Sequence, residues 1–396
     1  MTRPRGLFPW LLPLAAWFAL AACGGTAAPA SPSAAKPAAS PAAASAAASA
    51  KPSASAASAS AKPGAGASAA AKPSAKPGAV TVKVGVTEPP NAANSSYLIA
   101  EEKGYFAEFG INLQPEVFNT APALVAPIAA GQVDVGSLGI NAGLFNALNR
   151  GIKVAMVADS ASIVPGFDNV TIVVRKAHVD SGRFKNVADF KGMKFAIVSK
   201  GTVSDYGLEK MLKPAGLTLK DIDLTVLTFP DMRAALANGA VDAAWEIEPF
   251  STQVLDTGSV VLVKRGADFI PGAQLASVAM SPSFLANRDV AVRWLAAYLK
   301  GARVHNDAYG KKDPQARATA FEILKKRVPG LTDAMLERMG PAGAHPDGKL
   351  NVESIDDQQQ FFVRSGSQEK LADLNQLVDS KLAEEAVKLL GGPYKP

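Results

Sequence analysis

Apolar and polar positions along this chain repeat with two periods, and each change of period marks a change of element. Residues 80–86 alternate apolar and polar, the two-residue period of a half-buried strand, and Glu88-Pro89-Pro90-Asn91 breaks it. Tyr97, Leu98 and Phe106 predict a helix that opens at Asn94 or Ser95, weakens at Gly104 and ends at Gly110. A strand over 111–118 comes next, then a helix with Pro122 at its first position and an internal kink at Pro127. After these stand a helix over 141–150 and a strand over 154–158. The pattern then restarts, with strands over 171–175 and 194–198, a helix over 205–212, a strand over 225–228, a helix after Pro230-Asp231, and strands over 260–264 and 275–280. Strands alternating with helices through short connections predict an α/β fold with mostly parallel sheets. Beyond Pro282 the pattern is helical only, over 288–309, 314–328, 353–364 and 380–390.

Two stretches say nearly the same thing. Ile128-Ala129-Ala130-Gly131-Gln132-Val133-Asp134-Val135-Gly136 and Leu236-Ala237-Asn238-Gly239-Ala240-Val241-Asp242-Ala243 each read as a helix end, a glycine in the left-handed conformation, and a Val-Asp step into a short strand. Gly131 and Gly239 are then helix stops, and Asp134 and Asp242 structural caps at strand starts. Ser137-Leu138-Gly139 comes after the first copy and Trp245-Glu246-Ile247-Glu248-Pro249-Phe250 after the second. Ligands of open α/β sheets sit beyond the carboxyl ends of strands. If the copies belong to two lobes, these unlike ends face each other across a cleft.

The first 79 residues change the picture of charge and location. Arg3 and Arg5, an apolar run from Leu7 to Leu20, and Leu20-Ala21-Ala22 make residues 1–22 an export leader. The run is too short and too broken by Pro9 and Pro13 for a comfortable membrane span. Cys23 is the only cysteine, so no intramolecular disulfide is available. From 23 to 79 the chain is almost wholly Ala, Ser, Pro, Gly and Lys, the composition of a disordered tether. Lys36, Lys51, Lys62, Lys72, Lys76, Arg3 and Arg5 are 7 of the 41 basic residues, while all 35 acids lie after residue 79. The remainder holds 34 basic and 35 acidic residues, a net −1, so the overall basicity is no argument for nucleic-acid binding.

Leu20-Ala21-Ala22-Cys23-Gly24 resembles a bacterial lipobox, which implies lipidation of Cys23 and an extracytoplasmic, membrane-anchored product. The motifs Tyr97-Leu98-Ile99-Ala100-Glu101-Glu102-Lys103-Gly104-Tyr105-Phe106, Ala129-Ala130-Gly131-Gln132-Val133-Asp134, Phe190-Lys191-Gly192-Met193-Lys194, Leu236-Ala237-Asn238-Gly239-Ala240-Val241-Asp242 and Trp245-Glu246-Ile247-Glu248-Pro249 resemble, in order and spacing over roughly residues 80–300, the periplasmic substrate-binding proteins of the nitrate/sulfonate/taurine type of ABC importer. That group also includes binders of thiamine-precursor pyrimidines. The resemblance implies a two-lobed type II periplasmic binding protein fold. Each lobe has a mostly parallel sheet flanked by helices, with crossovers near 173–176 and 277–281. It divides the chain into a first lobe over 80–174, a second over 175–279, and a return to the first over 280–396. It further implies a monomer without cofactor that captures a small molecule and delivers it to an ABC permease with its ATPase. An exported enzyme on the same fold, or a ligand-sensing receptor subunit, is the alternative.

Candidate contacts come from the strand ends. In the first lobe they are Glu88, Asn91, Asn119, Thr120, Ser137, Leu138 and Gly139. In the second they are Lys200, Gly201, Thr202, Val203, Ser204, Phe229, Trp245, Glu246 and Glu248. Backbone N–H groups and hydroxyls of 201–204 at a helix start suit an anion, with ordinary capping by Ser204 as the alternative. Trp245 is expected to stack on a planar ligand or seal the cleft, with core packing as the alternative. Glu246 and Glu248 suit a cation or a ring amine, or else form a structural salt bridge. Catalysis has little support: His178, His305 and His345 lack metal-ligand spacing, and neither a Gly-x-Ser-x-Gly elbow nor a phosphate-binding loop is present.

Overall fold

The computed structural model describes residues 78–87, 92–118 and 121–396. The leader, Cys23, the tether up to residue 77, Glu88, Asn91, Asn119 and Thr120 lie outside the described residues.

Two five-stranded mixed sheets flanked by helices form two lobes. In the first, β1 (Val80–Thr87) pairs in parallel along its length with β2 (Ile111–Phe118), and its other side takes β3 (Val135–Gly139). The alternation read from the sequence is realised: Val82 and Val84 are buried while Thr81 and Lys83 are exposed. Helices α1 (Ser95–Glu102) and α2 (Tyr105–Glu108) connect β1 to β2. The helix expected from Pro122 is present: it opens as a 3₁₀ turn, Ala121–Leu124, and runs into the short α3 (Val125–Ala129). Helix α4 (Ala142–Asn149) leads to β4 (Ala155–Ser162).

The second sheet contains β5 (Val170–Arg175), β6 (Lys194–Ile197), β7 (Asp223–Val226), β8 (Ala243–Ile247) and β9 (Val260–Arg265) in the order β7-β6-β8-β5-β9. Its helices are α5 (Lys176–Asp180), α6 (Val203–Leu212), α7 (Phe229–Asn238) and α8 (Phe250–Leu255). The chain then returns as β10 (Gln274–Met280), completing the first sheet as β2-β1-β3-β10-β4. One strand runs against the rest in each sheet, β5 in one and β10 in the other, and each is the first strand after a change of lobe. The changes of sheet therefore fall at 163–169 and 266–273, several residues earlier than the expected 173–176 and 277–281. Val170 to Val174 is buried on both faces, as befits an interior strand.

Helices α9 (Pro282–Ala286), α10 (Arg288–Tyr309), α11 (Pro314–Arg327), α12 (Asp333–Arg338), α13 (Val352–Arg364), α14 (Leu374–Leu377) and α15 (Ser380–Leu389) complete the chain. The buried stripe of α10 packs over the first sheet, where Trp294 meets Phe106 at 5.2 Å. Helix α13 does something the helical pattern did not announce. Its Phe362 lies 6.2 Å from Phe145 of α4, and its Phe361 lies 6.0 Å from Tyr206 of α6. One buried apolar cluster consequently runs from the first lobe through α13 into the second.

Candidate functional site

The two repeated stretches fold alike. Gly131 and Gly239 have φ of 69° and 83°, the left-handed conformation that stops a helix without a Cβ penalty. Asp134 then clasps the adjacent strand: its carboxylate accepts from the Lys83 N–H at 2.8 Å and its own N–H donates to the Lys83 carbonyl at 2.9 Å. Asp242 does the same with Lys194, at 3.0 and 2.8 Å, and adds His178 Nε2 at 2.6 Å. Burial works against the charged form of Asp242, but the Lys194 N–H and His178 outweigh it and hold the carboxyl below the usual range. Both aspartates are scaffold.

Beyond the two clasps the strands diverge. At the end of β3, Ser137 Oγ lies 2.9 Å from Ser160 Oγ, Leu138 is fully buried in the core, and the Gly139 carbonyl accepts from Asn141 Nδ2 at 2.7 Å. The Leu138 side chain is therefore packing, contrary to its place among the contacts. Beside Ser137 and Ser160 opens a pocket of about 450 Å³ of empty space, part of it open to solvent, lined also by Asn94, Tyr97, Trp294 and Tyr298. Trp294 and Tyr298 stack with ring centroids 6.0 Å apart. Trp294 Nε1 and the Tyr97 hydroxyl are buried without a hydrogen-bond partner among the described residues, whereas Tyr298 donates to the Asp159 carbonyl at 3.0 Å.

The lobes touch where α4 and α6 begin. The Ala142 N–H donates to the Gly201 carbonyl at 2.8 Å, and Asn141 and Thr202 form a β-bridge. Asn141 also caps α4 by accepting from the Leu144 N–H at 2.9 Å. On the other side, Thr202 rather than Ser204 is the cap of α6, which starts at Val203, two residues earlier than expected. The expected anion site is already filled from within. Gly201 N–H donates to Asp205 Oδ2 at 2.6 Å, and the Ser204 hydroxyl turns to the Ser199 carbonyl and Asp205. Burial pushes the Asp205 carboxyl up to about 6. Lys200 is exposed, Val203 half-buried, and Phe229 stacks on Phe250 at 4.9 Å.

At the end of β8 the side chains take turns between two buried faces. Trp245 is 3 % exposed, lies edge-on to Phe269 at 5.8 Å, and sits so close to Gly207 that a Cβ there would meet its ring at 2.5 Å. It belongs to the core beneath α6, not to a stacking surface. Glu246, on the opposite face, is fully buried and neither carboxyl oxygen has a partner among the described residues. Burial first, then the neighbouring Glu248, pushes its carboxyl up to about 8 against a weaker pull from Arg233. Among the described residues Glu248 makes no salt bridge either: it accepts from the Thr252 N–H at 3.1 Å and the Thr252 hydroxyl at 3.0 Å.

Sequence reasoning passed over Asp159. It is 2 % exposed and accepts from Ser162 Oγ at 2.7 Å, Gln274 Nε2 at 2.6 Å and the His345 N–H at 2.8 Å. The Asn351 N–H in turn donates to Gln274 Oε1 at 2.9 Å, so one network ties both crossovers to the returning segment. A carboxylate inside the otherwise uncharged, buried strand Ala155–Ser162 was the available signal. Among the described residues no group of three or more His, Cys, Asp or Glu is arranged to hold a metal, and no helix is long and apolar enough to cross a membrane.

Comparison with known proteins gives one family and several structural likenesses. The model of the NMT1-like family matches residues 75–323. A protein of Escherichia coli K12 named for aliphatic sulfonates binding is 33 % identical over 152 residues, which is 38 % of this chain and 44 % of that protein, so the match spans less than half the relative's length. The crystal structure of the periplasmic aliphatic sulphonate binding protein SsuA from Escherichia coli has a TM-score of 0.59 at 21 % identity, covering 76 % of this chain and 92 % of that one. The periplasmic nitrate-binding protein NrtA from Synechocystis PCC 6803 has a TM-score of 0.62 at 16 % identity, covering 80 % and 90 %. The desulfurization enzyme DSZB has a TM-score of 0.55 at 17 % identity, covering 78 % and 99 %. At these identities the structures speak for the fold, and that fold includes both binders and an enzyme.

Proposed function

Since the chain belongs to the NMT1-like family, we propose that it is an extracytoplasmic solute-binding lipoprotein, anchored through Cys23, that captures a small molecule between its lobes and delivers it to an ABC permease. The observation that most supports this reading is the meeting of the jaws, where the Ala142 N–H donates to the Gly201 carbonyl, together with the first-lobe pocket beside Ser137 and Ser160. The contacts in this reading are Ser137, Gly139 and Ser160 with Tyr97 and Trp294 in the first lobe, together with Glu88, Asn91, Asn119 and Thr120, and Glu246 in the second. Hinge closure is the mechanism. A ligand that touches both jaws stabilises the closed form by the contacts it lacks in the open one, and the permease receives that closed form as a monomer.

The test is a melting-temperature screen of sulfonates, nitrate, aromatic acids and pyrimidines. A true ligand at roughly 100 times its dissociation constant adds about 2.7 kcal/mol of stability and binds stoichiometrically without turnover. A product appearing on incubation would make the protein an exported enzyme on this fold, and a screen without any binder would remove these classes from consideration.

A further inference from the structure

The buried polar atoms without partners are not scattered through the second lobe. Thr171 of β5 is paired directly across from Glu246 of β8, so their side chains share a face of the sheet. Asn169 precedes Thr171 by two residues and Glu248 comes two after Glu246, which extends the same face toward the strand ends. Glu248 N–H donates to the Asn169 carbonyl at 3.0 Å, fixing the two chain ends side by side. Asn169, Thr171 and Glu246 are 2 %, 0 % and 0 % exposed. Asn169 Oδ1, Thr171 Oγ1 and both oxygens of Glu246 have no hydrogen-bond partner among the described residues.

This box also lies at the right end of its lobe. The first-lobe contact at Thr202 comes just past the carboxyl end of β6, and β8 is the parallel neighbour of β6. The carboxyl end of β8 therefore points the same way, toward the first lobe.

We propose that Glu246, Asn169 and Thr171 form a subsite for a cationic hydrogen-bond donor, a protonated amine or amidinium carried by the bound molecule. The proposal rests on the carrier reading above and gives the ligand's chemical class. Four unsatisfied oxygens, two of them from one carboxyl group, are matched by a group that brings several N–H bonds and a positive charge. The charged neighbours agree. Glu246 feels the like charge of Glu248 and, more weakly, Arg233 on α7, while Arg338 lies within the field of Glu248. Neither arginine makes a salt bridge to Glu246 among the described residues: Arg338 is engaged by Asp256. The anionic alternative has little to work with here, because the helix start at Gly201 is already occupied by Asp205.

Three probes with one ring and three head groups test this: benzamidine, benzamide and benzenesulfonate, titrated into the wild-type protein, Glu246→Gln and Thr171→Val. The expected result is that benzamidine binds the wild type at least tenfold more tightly than the other two. Glu246→Gln should abolish that preference, and Thr171→Val should reduce it. Benzamidine binding near pH 7 should release protons, read as a binding heat that differs between phosphate and Tris, because a cation beside Glu246 favours its ionised form. Glu246→Gln should melt no lower than wild type, since it removes a buried carboxyl and keeps its shape; a large loss would assign Glu246 a structural role and overturn the proposal. Tighter binding of benzenesulfonate, unchanged in Glu246→Gln, would overturn the donor subsite and leave the carrier reading standing. Stabilisation by sodium chloride equal to that by benzamidine hydrochloride would likewise overturn it. Failure of all three probes would count against the subsite, while the separate ligand screen decides the carrier reading.

Discussion

The carboxyl ends of β3 and β8 start from the same device and finish as opposites. Behind each lies a left-handed glycine and an aspartate that clasps the neighbouring strand. Ahead of the first clasp the chain presents hydroxyls and small residues beside an open aromatic pocket; ahead of the second it buries an aromatic on one face and an unpartnered carboxyl on the other. The shared part solves a mechanical problem, how to turn from a helix into an interior strand. The unshared part is free to be chemistry.

The largest test of that contrast is Trp245→Ala. Loss of a buried indole should cost about 3–5 kcal/mol, and ligand binding should fall together with folding; selective loss of binding at an unchanged melting temperature would return Trp245 to the cleft. Gly207→Ala, which drives a methyl into the same ring, should cost about 1–3 kcal/mol. Next comes the pH dependence of Glu246. Its carboxyl sits at about 8 in the folded protein and 4.5 when unperturbed. Between those values the folded state holds a proton that the unfolded chain has released, so its contribution is fully present below about pH 4.5 and is lost as pH rises toward 8. Glu246→Gln should flatten that slope and raise neutral-pH stability by on the order of 3 kcal/mol, checked by melting curves across the range.

The clasps are expected to differ by degree. Asp242→Ala removes two partners and should cost about 2 kcal/mol, while Asp134→Ala, with one carboxylate contact, should cost about 1 kcal/mol. Because the Asp242 carboxyl is held low in the folded state, its contribution is present above the unperturbed value of 3.8 and is lost as pH falls through the folded one. Urea titrations of both variants at neutral and acid pH check this. Smallest of all, Arg338→Ala breaks an exposed pair with Asp256 and should leave the melting temperature nearly unchanged.

Most elements were legible because a half-buried strand and a surface helix write different periods. The terminal helices α10 and α13 were read to within a residue for that reason. What failed did so for specific physical causes. Trp245 and Glu246 lie on opposite faces of a strand buried on both, so alternation assigns them to different sides without saying which side is the site. Thr202 and Ser204 are both good caps, and only the extended backbone at Thr202 decides between them. The crossovers were displaced because β5 and β10 are buried along nearly their whole length and carry no mark of which sheet they join. Phe361 and Phe362 read as one helix's buried stripe, and an apolar stripe does not name its partner.

That stripe has a thermal consequence. Lobes with independent cores would melt separately and give two overlapping heat-absorption peaks. Here Phe361 and Phe362 are shared packing for α6 and α4, so loosening one lobe strips contacts from the other. Calorimetry of the folded part should record a single endotherm whose measured enthalpy matches the value calculated from its sharpness. Phe362→Ala is the substitution expected to split it in two.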